Sequence, residues 1–189
     1  MKDFYVKVYL TNLGKYVEGY LVGKWVDVTS DTDWIEELSN IGVKDNSDYE
    51  EYFITDVDTN INIEIGEYTS INTLKKIAEQ IEELIDIIDV DTFNAILDCN
   101  SDFDEAYEIA IDGNYTYYDD VDDEYDLGNT LVDEGFLGHI DDNLKMYLDY
   151  EKIGRDYMIN VNGSFSSNGF VALYLSLIHI SEPTRRSYI

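Results

Sequence analysis

Five residues at the spacing of a calcium loop are the first candidates for chemistry in this chain. Counted from Asp56, carboxylate or amide side chains fall at relative positions 1, 3, 5, 9 and 12, namely Asp56, Asp58, Asn60, Glu64 and Glu67. These are the ligand positions of an EF-hand, whose loop also needs Gly at position 6 for its sharp turn. Position 6 here is Ile61, and the residues before Asp56 read as strand rather than helix. An acidic calcium-binding protein is therefore the alternative reading. A second cluster, Asp119-Asp120-Val121-Asp122-Asp123-Glu124, offers paired carboxylates. Carboxylate hydrolysis needs two acids whose environments separate their pKa values, and a run of solvated acids supplies no such contrast. His139 is the one histidine before the last fifteen residues, so neither a multi-His metal site nor a Ser-His-Asp arrangement has enough histidines. Cys99 is the lone cysteine and reads as a small apolar core residue. No P-loop and no Gly-x-Gly-x-x-Gly fingerprint occurs. The chain reads as a non-enzyme with no cofactor and no metal.

What remains is charge. Of 189 residues, 41 are Asp or Glu and 12 are Lys or Arg, a net charge of -29. So acidic a composition signals disorder where apolar residues are scarce. Here 44% of residues are hydrophobic and 17 are Tyr, enough to build a packed core. Duplex DNA carries about one charge per ~1.7 Å of axis, so thirty charges match about 50 Å of duplex and a homodimer about 100 Å. A compact sphere of this chain length is only about 35 to 40 Å across. An elongated row of small domains would spread the same charge at a DNA-like linear density. The N-terminus Met1-Lys2-Asp3-Phe4 lacks the pattern of a signal peptide, and the apolar run Gly169 to Ile180 is too short to span a bilayer. A cytoplasmic protein without membrane contact is expected.

That apolar run enters a stretch of different character. Residues Leu175 to Arg185 resemble the translation of a transposase-type sequencing-library adapter, and Leu175 to Ile189 are read as an artefactual tail. The tail holds the only proline, Pro183, and one of the two histidines, His179. It contributes one acid and two bases, so the first 174 residues carry 40 acids against 10 bases.

The elements that must carry this charge fall into three segments, giving an α+β fold class. In the first, 1–66, Phe4 to Leu10, Tyr20 to Val28 and Tyr52 to Val57 read as strands, with a turn at Asn12 to Lys15 and a short helix over Asp33 to Leu38. The second, 67–112, is helical. Ser70 is an N-cap, and Ile71, Leu74, Ile77, Ala78, Ile81, Leu84, Ile85 and Ile88 form one apolar stripe. A further helix is predicted from an Asp91 cap, and another after Ser101 with Phe103, Ala106, Tyr107 and Ala110 inward. The third, 113–174, is again α+β. It has a strand at Tyr115 to Tyr118, a helix through Leu127, Leu131 and Val132 ended by Gly135, and a helix over Asp142 to Lys152. Strands are predicted at Tyr157 to Val161 and Phe170 to Tyr174, around Asn162-Gly163 and Asn168-Gly169 turns.

Four ordered blocks resemble one known family. They are Val8-Tyr9-Leu10-Thr11-Asn12-Leu13-Gly14-Lys15-Tyr16 with Glu18-Gly19 and Leu21-Val22-Gly23-Lys24-Trp25; Tyr49-Glu50-Glu51-Tyr52-Phe53-Ile54-Thr55-Asp56; Glu67-Tyr68-Thr69-Ser70-Ile71; and Gly135 to Asp156, within which Leu144 to Tyr150 and Ile153-Gly154-Arg155-Asp156 stand out. The family is that of the ArdA antirestriction proteins of mobile genetic elements, and the similarity is collinear from about Val6 to Tyr174. The resemblance implies an elongated three-domain homodimer, joined through its C-terminal domain, that mimics bent B-form DNA. It further implies that the partner is the DNA-binding groove of a type I restriction–modification enzyme in the bacterial cytoplasm, not nucleic acid. The segment Leu137 to Glu151 resembles the family's antirestriction motif near the dimer interface, with Leu137, Gly138, Ile140, Leu144, Tyr147, Leu148 and Tyr150 as its candidate residues. The candidate DNA-mimic acids are Glu79, Glu82, Glu83, Asp86, Asp119, Asp120, Asp122, Asp123, Asp141 and Asp142.

Overall fold

A computed structural model describes residues 4–100, 102–166 and 169–174, and the chain divides into two compact units, Met1–Ile111 and Asp112–Ile189. Both are α+β, and each is built around a three-stranded antiparallel sheet.

In the first unit, β1 (Val6–Asn12) lies between β2 (Gly23–Asp27) and β3 (Tyr52–Thr59). Alternate residues Val6, Val8 and Leu10 are buried, as a sheet with one face on a core requires. A bulge between Tyr9 and Leu10 shifts the register against β3. The residues expected as a turn after β1 instead form a one-turn helix, α1 (Leu13–Val17). Buried Asn12 sets it: the Asn12 side-chain oxygen accepts from the Lys15 amide at 2.9 Å, while its Nδ2 donates to the Ile41 carbonyl at 3.1 Å. A capping Asn competes with a plain turn by satisfying an orphan helix donor. α2 (Trp34–Asn40) follows, with Asp33 as its N-cap.

The helical stretch lies in this same unit. α3 (Ile71–Leu84) starts where Ser70 accepts from the Thr73 amide at 3.1 Å, and Leu74, Ile77, Ala78, Ile81 and Leu84 are buried along one stripe. The stripe ends there, because Ile85 is 48% exposed. α4 (Val90–Cys99) is capped by Asp89, not Asp91. The Asp89 carboxylate accepts from the Asp91 and Thr92 amides and from the Thr92 hydroxyl, at 3.1, 3.0 and 2.7 Å. Asp91 has the right residue type but is the second residue of α4, whose first turn Asp89 already caps. α5 (Phe103–Asp112) buries Ala106 and Ala110, and Tyr107 is only partly covered; Ser101, expected before it, lies outside the described residues. Phe93 of α4 meets Phe4 at 5.8 Å and Phe103 at 5.7 Å between ring centroids, so α4 and α5 share the core of the first sheet.

The second unit has the sheet order β4 (Tyr115–Asp119), β6 (Gly169–Leu173), β5 (Asn162–Ser166). Its helices are α6 (Glu124–Asp133), α7 (Asp142–Lys145) and α8 (Tyr150–Asn160). The core comprises Tyr118, Val121, Leu127, Leu131, Tyr157, Phe170 and Ala172. The single helix expected over Asp142 to Lys152 is broken: α7 stops at Lys145, and Asp149 starts α8 by accepting from the Lys152 amide at 3.2 Å. The strand expected at Tyr157 to Val161 is the last part of α8, running to Asn160. Local β-propensity there yields to packing, because the helix buries Tyr157 against Tyr118 and Phe170. Asn162-Gly163, expected as a turn, opens β5, and Gly163 sits tightly against the Val171 carbonyl and the Phe170 ring across the ladder.

Candidate interaction surface

All ten candidate acids are exposed, and the fold explains why. Glu79, Glu82 and Glu83 lie opposite the buried stripe of α3, and Asp86 lies in the turn after it. From Glu79 to Glu83 the helix rises about 6 Å. It carries three carboxylates over that length, where both strands of a duplex would carry about 3.5 charges. Glu83 accepts from the Tyr107 hydroxyl of α5 at 2.5 Å, which fixes its position and raises the phenol above its ordinary pKa.

The acid run after β4 has a similar logic. Val121 is buried at 1% exposure and pins the loop, leaving Asp119, Asp120, Asp122 and Asp123 outside. Asp120 has φ of 56°, in the left-handed region that Asp tolerates better than most residues. Asp123 has a second role that the sequence reading missed: it caps α6, accepting from the Asp126 amide at 2.9 Å. Asp141 does the same for α7, accepting from the Asn143 amide at 2.9 Å. The signal was available, since Asp immediately before a helical register is a favoured N-cap.

Five of the nine described bases pair with acids. Lys7 pairs with Asp27 at 2.9 Å, Lys76 with Asp104 at 2.5 Å, Arg155 with Glu151 at 2.5 Å, and Lys24 with Glu37. Asp104 also accepts from Gln80, and these two partners hold its carboxyl below the ordinary range. Lys145 pairs with Asp133 at 2.9 Å and lies 3.6 Å from Asp142. Among the described residues, Asp142 is thus the one candidate acid within ion-pair reach of a base.

The segment from Phe136 to Tyr150 is an exposed apolar surface rather than core. α6 ends in a Schellman motif: the Phe136 amide bonds the Leu131 carbonyl and the Gly135 amide the Val132 carbonyl, with Gly135 at φ 79°. Gly138, at φ 82°, turns the chain again. Phe136, Leu137, Leu144, Met146 and Tyr147 remain 49 to 78% exposed. Ile140, Leu148 and Tyr150 are half-buried, and the Tyr150 hydroxyl donates to the Lys145 carbonyl at 3.1 Å. His139 is exposed in this turn, beside the Asp133–Lys145 pair.

The calcium-loop spacing does not form a loop. Asp56 and Asp58 lie within β3, paired in register with Tyr9 and Lys7, and Asp58 accepts from the Tyr5 hydroxyl at 3.2 Å. The Asn60 side chain accepts from the Tyr5 amide at 2.9 Å. Among the described residues no three His, Cys, Asp or Glu side chains group as a metal site. Burial pushes the Cys99 thiol up to about 11, with neighbouring Asp98 adding to it. No helix among the described residues is long and apolar enough to cross a membrane.

The chain is thus an acidic α+β protein of two sheet-centred units, with exposed carboxylates in both and exposed apolar side chains between Phe136 and Tyr147 in the second. The chain matches the family described as antirestriction protein (ArdA) over residues 8–172, and it belongs to that family. No curated protein matches it.

Proposed function

We propose that this chain is a non-enzymatic mimic of B-form DNA that enters the DNA-binding groove of type I restriction–modification enzymes in the bacterial cytoplasm and competes with their DNA. Membership of an antirestriction family supports a restriction enzyme as the partner. The observation that carries the mimicry is the carboxylate surface: ten exposed acids, nine of them outside ion-pair reach of any described base. Lys and Arg residues arranged for phosphates pair with such carboxylates, and long-range attraction makes association fast and salt-dependent. In this reading each of the segments 1–66, 67–112 and 113–174 presents acids to the partner. The apolar side chains Leu137, Leu144 and Tyr147 supply the contact between two copies, which doubles the length of charge presented.

The test is DNA cleavage by a type I restriction enzyme with and without the protein across a salt series. The expected result is inhibition at low salt that weakens as salt rises. Complete cleavage at low salt with the protein in excess overturns the proposal.

A further inference from the structure

In the first unit, a cleft lies between the edge of the sheet and α3. It has a volume of about 240 Å³, roughly eight water volumes at ~30 Å³ each. Its interior is apolar, formed by Phe4, Val6, Val28, Ala78 and Ile81. Tyr5 and Ile85, both exposed, form its outer walls. Two acidic residues are part of the lining, Asp27 from the end of β2 and Glu82 from the exposed face of α3, together with polar Thr29 and Ser30. Asp27 is already paired with Lys7, whereas Glu82 has no ion-pair partner among the described residues.

An apolar slot beside a free carboxylate matches one kind of side chain, a long aliphatic stem that ends in a cation. Lys and Arg bury their methylenes along apolar surface while the charged head stays at a polar rim. A short cation would reach Glu82 but leave the slot empty, and an apolar side chain would leave Glu82 unmatched. Phosphates on DNA offer the charge without the slot, so this feature goes beyond charge mimicry.

We infer that the cleft between β2 and α3 receives the aliphatic stem of one long basic side chain of the partner, with Glu82 pairing its charged head. The inference rests on the proposed reading in taking the partner's DNA-binding surface as the source of that side chain. Each methylene buried contributes about fourfold in affinity, so a stem two methylenes longer gains about fifteenfold.

The experiment compares two probes of equal charge, hexalysine and a hexamer of 2,4-diaminobutyrate, whose stem is two methylenes shorter. Both are titrated into the full chain at pH 6.5 and followed by methyl NMR. The expected result is about fifteenfold tighter binding of hexalysine, with shifts at the methyls of Val28, Ala78, Ile81 and Ile85. Ala78→Leu fills the slot without touching a carboxylate and is expected to abolish the preference. Ile85→Ala opens an exposed wall, keeps the core intact, and is expected to reduce it; this variant decides if Ala78→Leu does not fold. Equal binding of the two probes, shifts confined to other residues, or a preference that survives in the folded variants overturns the inference. The cleavage assay separates the two ideas. A stem preference without inhibition defeats the DNA-mimic reading and leaves the slot, and inhibition without a preference does the reverse.

Discussion

Gly128 of α6 and Gly154 of α8 face each other backbone to backbone where the two helices cross. A methyl group placed on Gly128 would lie 1.9 Å from the Tyr150 carbonyl oxygen and 3.0 Å from the Gly154 amide nitrogen. One placed on Gly154 would lie 1.9 Å from the Glu124 carbonyl oxygen. Each glycine costs its helix about 1 kcal/mol relative to Ala, and close approach of the two backbones is what offsets it. Gly128→Ala or Gly154→Ala therefore forces the helices apart and is expected to destabilise the protein by about 1 to 3 kcal/mol. Urea unfolding reads this directly, and a variant as stable as the parent would show that the crossing relaxes freely.

The same pair shows what the sequence left legible. Gly154 was visible as part of the Ile153 to Asp156 block and Gly128 was not, because an isolated glycine in a helix announces a close approach without naming the partner. The elements set by local chemistry were readable: the Ser70 cap, the α3 stripe as far as Leu84 and the Gly135 helix end lie where expected. The misplacements came from competition between neighbours. Asp89 and Asp91 are both suitable caps, and Asp149 caps a second helix inside what reads as one periodic stretch begun at the Asp141 cap. Tyr157 to Asn160 carry strand-forming residues that tertiary packing holds in a helix. For the surface, exposure of the acids followed from periodicity, whereas the pairing of Tyr107 with Glu83 and the slot beside Glu82 depend on which helix lies against which.

The capping role of Asp123 separates structural from interaction effects at one position. Asp123→Asn removes the charge and keeps an oxygen for the Asp126 amide, because Asn caps as well as Asp. Asp123→Ala removes both. Thermal unfolding should show the Ala variant losing about 0.5 to 2 kcal/mol and the Asn variant losing little. Equal losses would mean that the cap contributes nothing measurable.

Asp89 should contribute to acid sensitivity. Burial alone would raise its carboxyl, but the Thr92 amide and hydroxyl and the Asp91 amide more than reverse this and hold it below the ordinary carboxylate value. A folded pKa below the unfolded one stabilises the fold above the unfolded value, and that stability is lost as pH falls through the folded value. In urea titrations, Asp89→Asn should lower stability at neutral pH and narrow its gap to the parent below the ordinary carboxylate range. A gap that is constant across that range would exclude the linkage.

Cys99 is expected to be inert in the folded protein. With its thiol pushed up to about 11, only about one molecule in a thousand carries the reactive thiolate at pH 8. Iodoacetamide followed by mass spectrometry should show slow labelling of the native chain and rapid labelling in denaturant. Fast native labelling would indicate that Cys99 is neither desolvated nor shadowed by Asp98.

If the carboxylates act as a distributed surface, no single acid can dominate inhibition. Solvent-exposed pairs contribute about 0.2 to 1 kcal/mol each, so neutralising one should weaken binding by at most about fivefold. Asp142 supplies an internal comparison, because Lys145 lies 3.6 Å away and already compensates part of its field. Asp142→Asn should therefore cost less than Glu79→Gln or Asp119→Asn, whose carboxylates have no base in reach among the described residues. Combined neutralisation of Glu79, Glu83 and Asp86 should approach the sum of the single effects and flatten the salt dependence. Competition binding against duplex DNA at two salt concentrations measures all of these. A single folded variant that abolishes binding would point to a specific anchoring contact and against a surface that works through its summed charge.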